Sequence, residues 1–106
     1  MDVKFTSHAD EAISEAEMAI RRALERIGQR GEKIAKVYCP VDTGRLRNSI
    51  SHSSDDSRAV IGTNVEYAPY VELGTSKRTP HAFLRPAVAL HVDEYRRIVE
   101  AELKGS

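Results

Sequence analysis

One long helical pattern dominates the first half of the chain. From about Ser7 to Val37, apolar residues recur three, four or seven positions apart, as they do in a helix with one buried face. They are Ile13, Ala16, Ile20, Leu24, Ile27 and Ile34. Ser7 is suited to cap the start of this helix, and Pro40 is suited to end it. The pattern predicts a helix of about 30 residues and about 45 Å, and we expect part of that length to extend onto a neighbouring molecule.

Charged pairs and two glycines add detail to this helix. The polar face carries opposite charges four positions apart, a spacing at which side chains meet. The pairs are Glu17 with Arg21 and Glu32 with Lys36. Gly28 and Gly31 each weaken a helix by roughly 1 kcal/mol relative to alanine. They predict either a bend or the close approach of another part of the backbone.

Short elements follow the helix. Asp42 or Thr43 is suited to cap a short helical turn that runs through Leu46 and Arg47. Two short strands are predicted next, with a polar turn between them; their bounds are Ile50–Ser53 and Arg58–Thr63. The aromatic segment Val65–Leu73 has Pro69 placed as an early helical residue, and Gly74 is suited to a helix C-terminal cap.

The C-terminal part predicts a basic loop and a last helix. The loop spans Thr75–His81. Pro86 then opens a helix to about Leu103, with an apolar stripe formed by Val88, Val92, Tyr95, Val99 and Leu103. The order of elements predicts an α+β fold in a single domain over residues 1–106. In it, a long N-terminal helix and a C-terminal helix pack on a small antiparallel β-sheet, with a short connecting helix.

Charge and composition narrow the function classes. The 106 residues include 16 basic and 16 acidic residues, which give a net charge of +0. A free nucleic-acid-binding module that relies on bulk electrostatics is therefore disfavoured. No apolar run approaches the roughly 18 residues of a membrane span, so no membrane partner is expected. The N-terminus lacks the apolar stretch of a signal peptide, so we expect the protein to act where it is made.

Candidate catalytic and metal-binding groups are sparse. The histidines lie in different predicted elements without the close spacing of zinc ligands, and no cofactor is expected; they are His8, His52, His81 and His91. The single cysteine, Cys39, excludes an internal disulfide framework. No histidine lies near it in sequence, so it is interpreted as a packed thiol rather than as a nucleophile.

One short segment matches an enzyme signature. The segment Val41–Gly44 matches the core signature of retroviral-type aspartic proteases, whose subunits each give one aspartate to a shared pair. Val60-Ile61-Gly62 resembles their second signature. That fold is almost entirely β, whereas long helical patterns flank the motif here, and the two segments are too close together. Helix capping by Asp42 is therefore favoured, and a protease acting through Asp42 is kept as the alternative from another class.

Basic and aromatic residues gather in the loops of the second half. The basic residues are Arg45, Arg47, Lys77, Arg78 and Arg85. Tyr67, Tyr70 and Phe83 lie close to them in sequence. The tyrosines could simply be core residues, and the arginines could simply pair with carboxylates. Aromatic residues with arginine are also the composition that interface cores favour.

Three segments together resemble one phage family. They are Cys39–Ile50, Ile61–Thr75 and Phe83–Ala87. They resemble the tail-component family of long-tailed phages typified by gene product ten of phage HK-ninety-seven, which is also described as neck or tail-completion proteins. The leading and trailing helices fit the plan of that family, so the resemblance extends over nearly the whole chain. The segment Thr79–Ala82 departs from the family pattern, because a second proline is expected just before Phe83.

The resemblance implies a structural virion protein at the head–tail junction, without enzymatic activity. It would act in tail completion and head–tail joining as part of a ring, in contact with head-closure, tail-terminator or tail-tube proteins. A tail-tube terminator or a head-closure protein of the same stack is the alternative. Arginines that line the ring lumen would touch DNA in transit, and assembly would take place in the host cytoplasm. The residues predicted to form the interface, chosen on composition, are Tyr67, Tyr70, Lys77, Arg78, Phe83 and Arg85.

Overall fold

A computed structural model describes residues 3–41 and 44–105 of the chain, with the side chains from residue 13 onward within those ranges. The predicted cap at Asp42 or Thr43, and with it the aspartate of the protease alternative, lies outside the described residues. The predicted cap at Ser7 is wrong, because the first helix already begins at Val3. Ser7 therefore lies within that helix.

The fold is mixed helix and strand, as predicted. The first helix, α1, spans Val3–Tyr38 and ends just before Pro40. It is followed by α2 (Arg45–Ser49), β1 (Ser51–Ser54), β2 (Ala59–Gly62), α3 (Ala68–Leu73), α4 (Leu84–Ala89) and α5 (Val92–Gly105). No helix among the described residues is both long and apolar enough to cross a bilayer.

The two strands form an antiparallel hairpin against α1. Their register pairs Ser51 with Gly62 and Ser54 with Ala59. A Cβ atom at Gly28 would lie 2.8 Å from Cδ2 of His52, and one at Gly31 would lie 3.2 Å from Cγ2 of Ile61. Both glycines therefore mark the close approach of the hairpin, which is one of the two predicted alternatives.

The C-terminal segment is two helices rather than the single predicted one. α4 ends at Ala89 and α5 begins at Val92. Within one helix, the Ala87 carbonyl would accept the N–H of His91. Here the Tyr95 hydroxyl donates to that carbonyl, and the His91 N–H donates to Val88 at 3.4 Å instead. A side chain inserted into the helical hydrogen-bond ladder is a known cause of a break.

α5 runs back along α1 and is joined to it by ion pairs. Glu102 accepts hydrogen bonds from Arg22 at 3.2 Å and from Arg26 at 2.9 Å. Near the other end of α5, Glu94 accepts one from Arg30. The predicted pair of Glu32 with Lys36 is present at 3.2 Å, whereas Arg21 pairs with Asp56 at 2.7 Å instead of with Glu17.

The core lies at the C-terminal end of α1. It consists of Ile34, Ala35, Cys39, Leu46, Ile50, Val65, Ala68, Val71, Phe83 and Ala87. At the other end α1 projects past the rest of the chain. Ile13 is 55% exposed and Met18 is 57% exposed, although the spacing of Ile13 predicted a buried position. We call residues 3–18 the arm.

The arm makes the molecule elongated. The extents along its principal axes are 71, 23 and 22 Å, with a radius of gyration of 18.4 Å. A compact domain of this length has a radius of gyration of about 13 Å. The sequence prediction that the first helix exceeds what one small domain needs is confirmed.

Candidate interaction surface

An open cavity of about 400 Å³ lies beside the C-terminal end of α1. It is lined by Pro40, Leu46, Tyr67 and Val71, together with Arg45 and Arg78. We call it the arginine pocket. Its apolar side chains and two guanidinium groups give it the mixed composition of a binding cavity, in which a few polar groups set specificity.

Arg45 is fixed in place at this pocket. Its guanidinium carbon lies 5.5 Å from the centre of the Tyr67 ring, within the range of a cation–π contact. It also pairs with Glu66 at 3.1 Å, and this pairing helps to lower the pKa of the Glu66 carboxyl, after the larger effect of a backbone hydrogen bond. For Arg78, no ion pair is found within the described part of the chain.

The loop geometry that presents Arg78 depends on Gly74. Gly74 has φ 77°, in the left-handed region that glycine adopts without strain. Its N–H donates to the Tyr70 carbonyl at 2.9 Å, which ends α3, and Thr75 and Arg78 then exchange backbone hydrogen bonds. A Cβ atom at Gly74 would lie 2.8 Å from the Arg78 carbonyl oxygen. The predicted cap at Gly74 is confirmed.

The structure separates the six predicted interface residues into three groups. Tyr67 and Arg78 meet at the arginine pocket. Tyr70, Lys77 and Arg85 are exposed but do not line it. Phe83 differs from the rest because it is 0% exposed.

Phe83 is a core residue of the chain. It packs with Val71, Ala87 and the end of α1, so its side chain is not available to touch a partner. The predicted contact role of Phe83 is wrong, because composition does not separate an interface aromatic from a core aromatic. For the other five residues, the interface role stays a prediction.

Glu72 is a structurally important residue that the sequence reasoning missed. Its carboxylate accepts backbone hydrogen bonds from Phe83 and Leu84 at 2.9 Å and from Arg85 at 3.0 Å. These donors lie at the start of α4, whose own N-cap residue makes no side-chain capping bond. Burial opposes ionisation of Glu72, but the three N–H donors outweigh it and lower the pKa of the carboxyl. Glu72, which lies on α3, thus caps the start of α4. The only sequence signal for such a cap was that no Ser, Thr, Asp or Asn stands at the N-cap position of α4 itself.

A second charged group joins the hairpin to α1. Nε2 of His52 lies 3.0 Å from Glu25, and Nδ1 lies 2.9 Å from Glu32. Because carboxylates only accept, the two contacts favour the doubly protonated imidazolium. They raise the pKa of His52, with the Glu25 bond as the largest cause. The same contact, with further bonds from Ser54 and Gln29, lowers the pKa of Glu25 to about 2.

These shifts predict a stability optimum in mildly acidic solution. Because the pKa of His52 is raised, its contribution to folding stability is complete below the ordinary pKa of 6.5. This contribution is lost as the pH rises through the pKa of His52 in the folded chain. We therefore expect the Tm, followed by circular dichroism, to fall between about pH 6 and pH 9. His52→Gln should flatten this decline, and His81→Gln should leave it in place. A wild-type Tm that is constant over this range would contradict the prediction.

Cys39 is packed in the core, as predicted. Cys39 is 3% exposed, and burial raises the pKa of its thiol against the opposing effect of Arg47, as a packed thiol requires. Among the described side chains, no three His, Cys, Asp or Glu residues are arranged to hold a metal ion. The protease alternative requires an almost all-β fold, whereas the described residues contain one two-stranded sheet among five helices.

Comparison with known proteins agrees with the resemblance of the sequence. The family model described as "Bacteriophage HK97-gp10, putative tail-component" matches residues 4–74. The match therefore includes α1, the hairpin and α3, and it ends before Phe83–Ala87. No curated protein and no solved structure matches the chain significantly. Because the family model extends over more than half of the chain, the protein belongs to the HK97 gp10-like family of phage tail components.

Proposed function

We propose that this protein is a structural component of the phage head–tail junction, where it acts in tail completion and head–tail joining as part of a ring. The observation that carries the proposal is its membership in a phage tail-component family over residues 4–74. A tail component belongs to the virion. The role proposed for this chain is structural rather than enzymatic.

The shape and surface of the subunit support ring assembly. The molecule is elongated and exposes large apolar side chains in distant parts of the fold, with Ile13 and Met18 on the arm and Tyr70 and Leu73 on α3. Exposed apolar side chains that lie next to one another, as Tyr70 and Leu73 do three positions apart on α3, form the kind of patch that favours contact with a partner. Different surfaces at the two ends favour heterologous contacts, which close into a ring when the rotation between neighbours allows it.

The proposed partners are copies of the same chain and the neighbouring proteins of the stack. These neighbours would be head-closure, tail-terminator or tail-tube proteins, and assembly would take place in the host cytoplasm. Arginines on the inner side of the ring would meet DNA only transiently, because a neutral chain gives little bulk attraction for the duplex.

A stop codon early in the gene of the parent phage tests the proposed position. Electron microscopy of the lysate should show DNA-filled heads beside separate, finished tails, and plasmid-encoded protein should restore joined particles. Overlong or missing tails would favour the tail-terminator role, and emptied heads would favour head closure. Normal infectious particles would contradict a role in the virion.

A further inference from the structure

We propose that the arm of one subunit docks in the arginine pocket of the next subunit, an inference that rests on the proposed ring. Large apolar side chains on one face of α1 lack a covering layer from Ile20 as far as Ile13 in the arm. Ile13 is 55% exposed and Ile20, just beyond the arm, is 38% exposed. Ile13 precedes Gly31 by 18 residues, or about five helical turns. It therefore lies on the face of α1 that meets the hairpin further along.

The charges of the two surfaces are complementary. Residues 3–18 contain four carboxylates and a single lysine. Glu17 lies on the same side of α1 as Ile13 and Ile20, four positions after one and three before the other, and no ion pair of Glu17 is found among the described residues. The pocket offers apolar walls for the isoleucines and the exposed guanidinium of Arg78 for this carboxylate. Complementary charge directs association and fixes the orientation of the partners.

The occupant must come from another copy. α1 is continuous from the arm to Tyr38, so about 38 Å of helix separates Ile13 from the end where the pocket lies. The arm therefore cannot fold back into its own pocket. If each arm binds the pocket of the next subunit, the contact is heterologous. A heterologous contact that repeats from subunit to subunit can close into a ring.

Charge reversal in the complemented stop-codon phage tests this contact. We expect Glu17→Arg and Arg78→Glu each to lower the yield of joined, infectious particles about tenfold or more, because like charges then face each other. The double variant should restore the yield. The matched controls are Glu15→Arg, which places the same charge on the other side of the arm, and Arg97→Glu, which changes an exposed arginine on α5, outside both the pocket and the predicted interface. Both should give wild-type yield.

Cross-linking of the assembled particles tests the same contact directly. Particles that carry both Ile13→Cys and Arg78→Cys should give chains linked to one another by a short bismaleimide, and Glu15→Cys with Arg78→Cys should not. If the stop codon blocks joining but all charge variants complement fully and no cross-link forms, the docking inference is wrong and the junction role stands. If the stop codon itself is harmless, the proposed function fails first.

Discussion

Replacing Phe83 with alanine is expected to lower the free energy of unfolding by about 3–5 kcal/mol. The ring is fully buried among Val71, Ala87 and the end of α1. Its removal leaves a cavity where α1, α3 and α4 meet, and the surrounding backbone can close that cavity only in part. A chain of this size is stable by about 5–15 kcal/mol, so the loss is a large fraction of the total. Urea unfolding followed by far-ultraviolet circular dichroism measures it.

Tyr70→Ala is the matched control for Phe83. It removes an aromatic ring of similar size, but Tyr70 is 59% exposed, so we expect a change within about 0.5 kcal/mol. The pair also separates the core role of Phe83 from the interface role that composition predicts. If Phe83→Ala left stability unchanged and blocked only head–tail joining, then Phe83 would act as a contact and its placement in the core would be wrong.

Replacing Glu72 with alanine is expected to cost roughly 2 kcal/mol, because three backbone N–H groups lose a charged acceptor together. They belong to Phe83, Leu84 and Arg85 at the start of α4. Solvent replaces part of the lost bonding at Arg85, which is exposed, whereas Phe83 is buried. The same urea titration measures the loss. Glu66→Ala is the control, since it removes an exposed carboxylate that pairs with Arg45 and should change stability little.

The pH dependence gives the Glu72 prediction a distinct signature. The pKa of Glu72 is lowered in the folded chain from its ordinary value of 4.5. The contribution of the Glu72 carboxylate to stability is therefore complete above pH 4.5. It is lost as the pH falls through the lower pKa that Glu72 has in the folded chain. The difference in stability between the wild type and Glu72→Gln should be largest near neutral pH and should shrink in acid. A difference that does not change with pH would mean that the carboxylate charge is not what caps α4.

Local chemistry made much of this fold predictable from the sequence. The end of α1 follows from Pro40, the hairpin from its polar turn, and the end of α3 from Gly74, which alone tolerates the required φ of 77°. Each of these signals lies within a few residues of the feature it specifies. The glycines at 28 and 31 were also informative, although only the structure shows that the hairpin is what approaches them.

The structural features that the sequence did not predict depend on specific side-chain contacts, which the spacing of apolar residues does not report. The apolar spacing from Val88 to Leu103 continues through the break between α4 and α5, so it could not reveal that Tyr95 takes the Ala87 carbonyl. Glu72 reaches its partners from another helix. Helical spacing also identified the face of α1 on which Ile13 lies. It could not show that the elements packed against this face do not extend as far as Ile13, which is therefore exposed.

The ion pairs between α1 and α5 also determine how the two helices align. Arg22, Arg26 and Arg30 are spaced one turn apart, and Glu102 and Glu94 face them in the reverse order. If α5 slid by one turn along α1, the spacing would bring Glu102 opposite Met18 or Glu94 opposite Ile34. Each exposed pair adds little to stability, but only the observed alignment lets the two carboxylates pair with all three arginines. The ion pairs thus set the axial position of α5 along α1, which burial alone does not fix because α5 has no buried side chain.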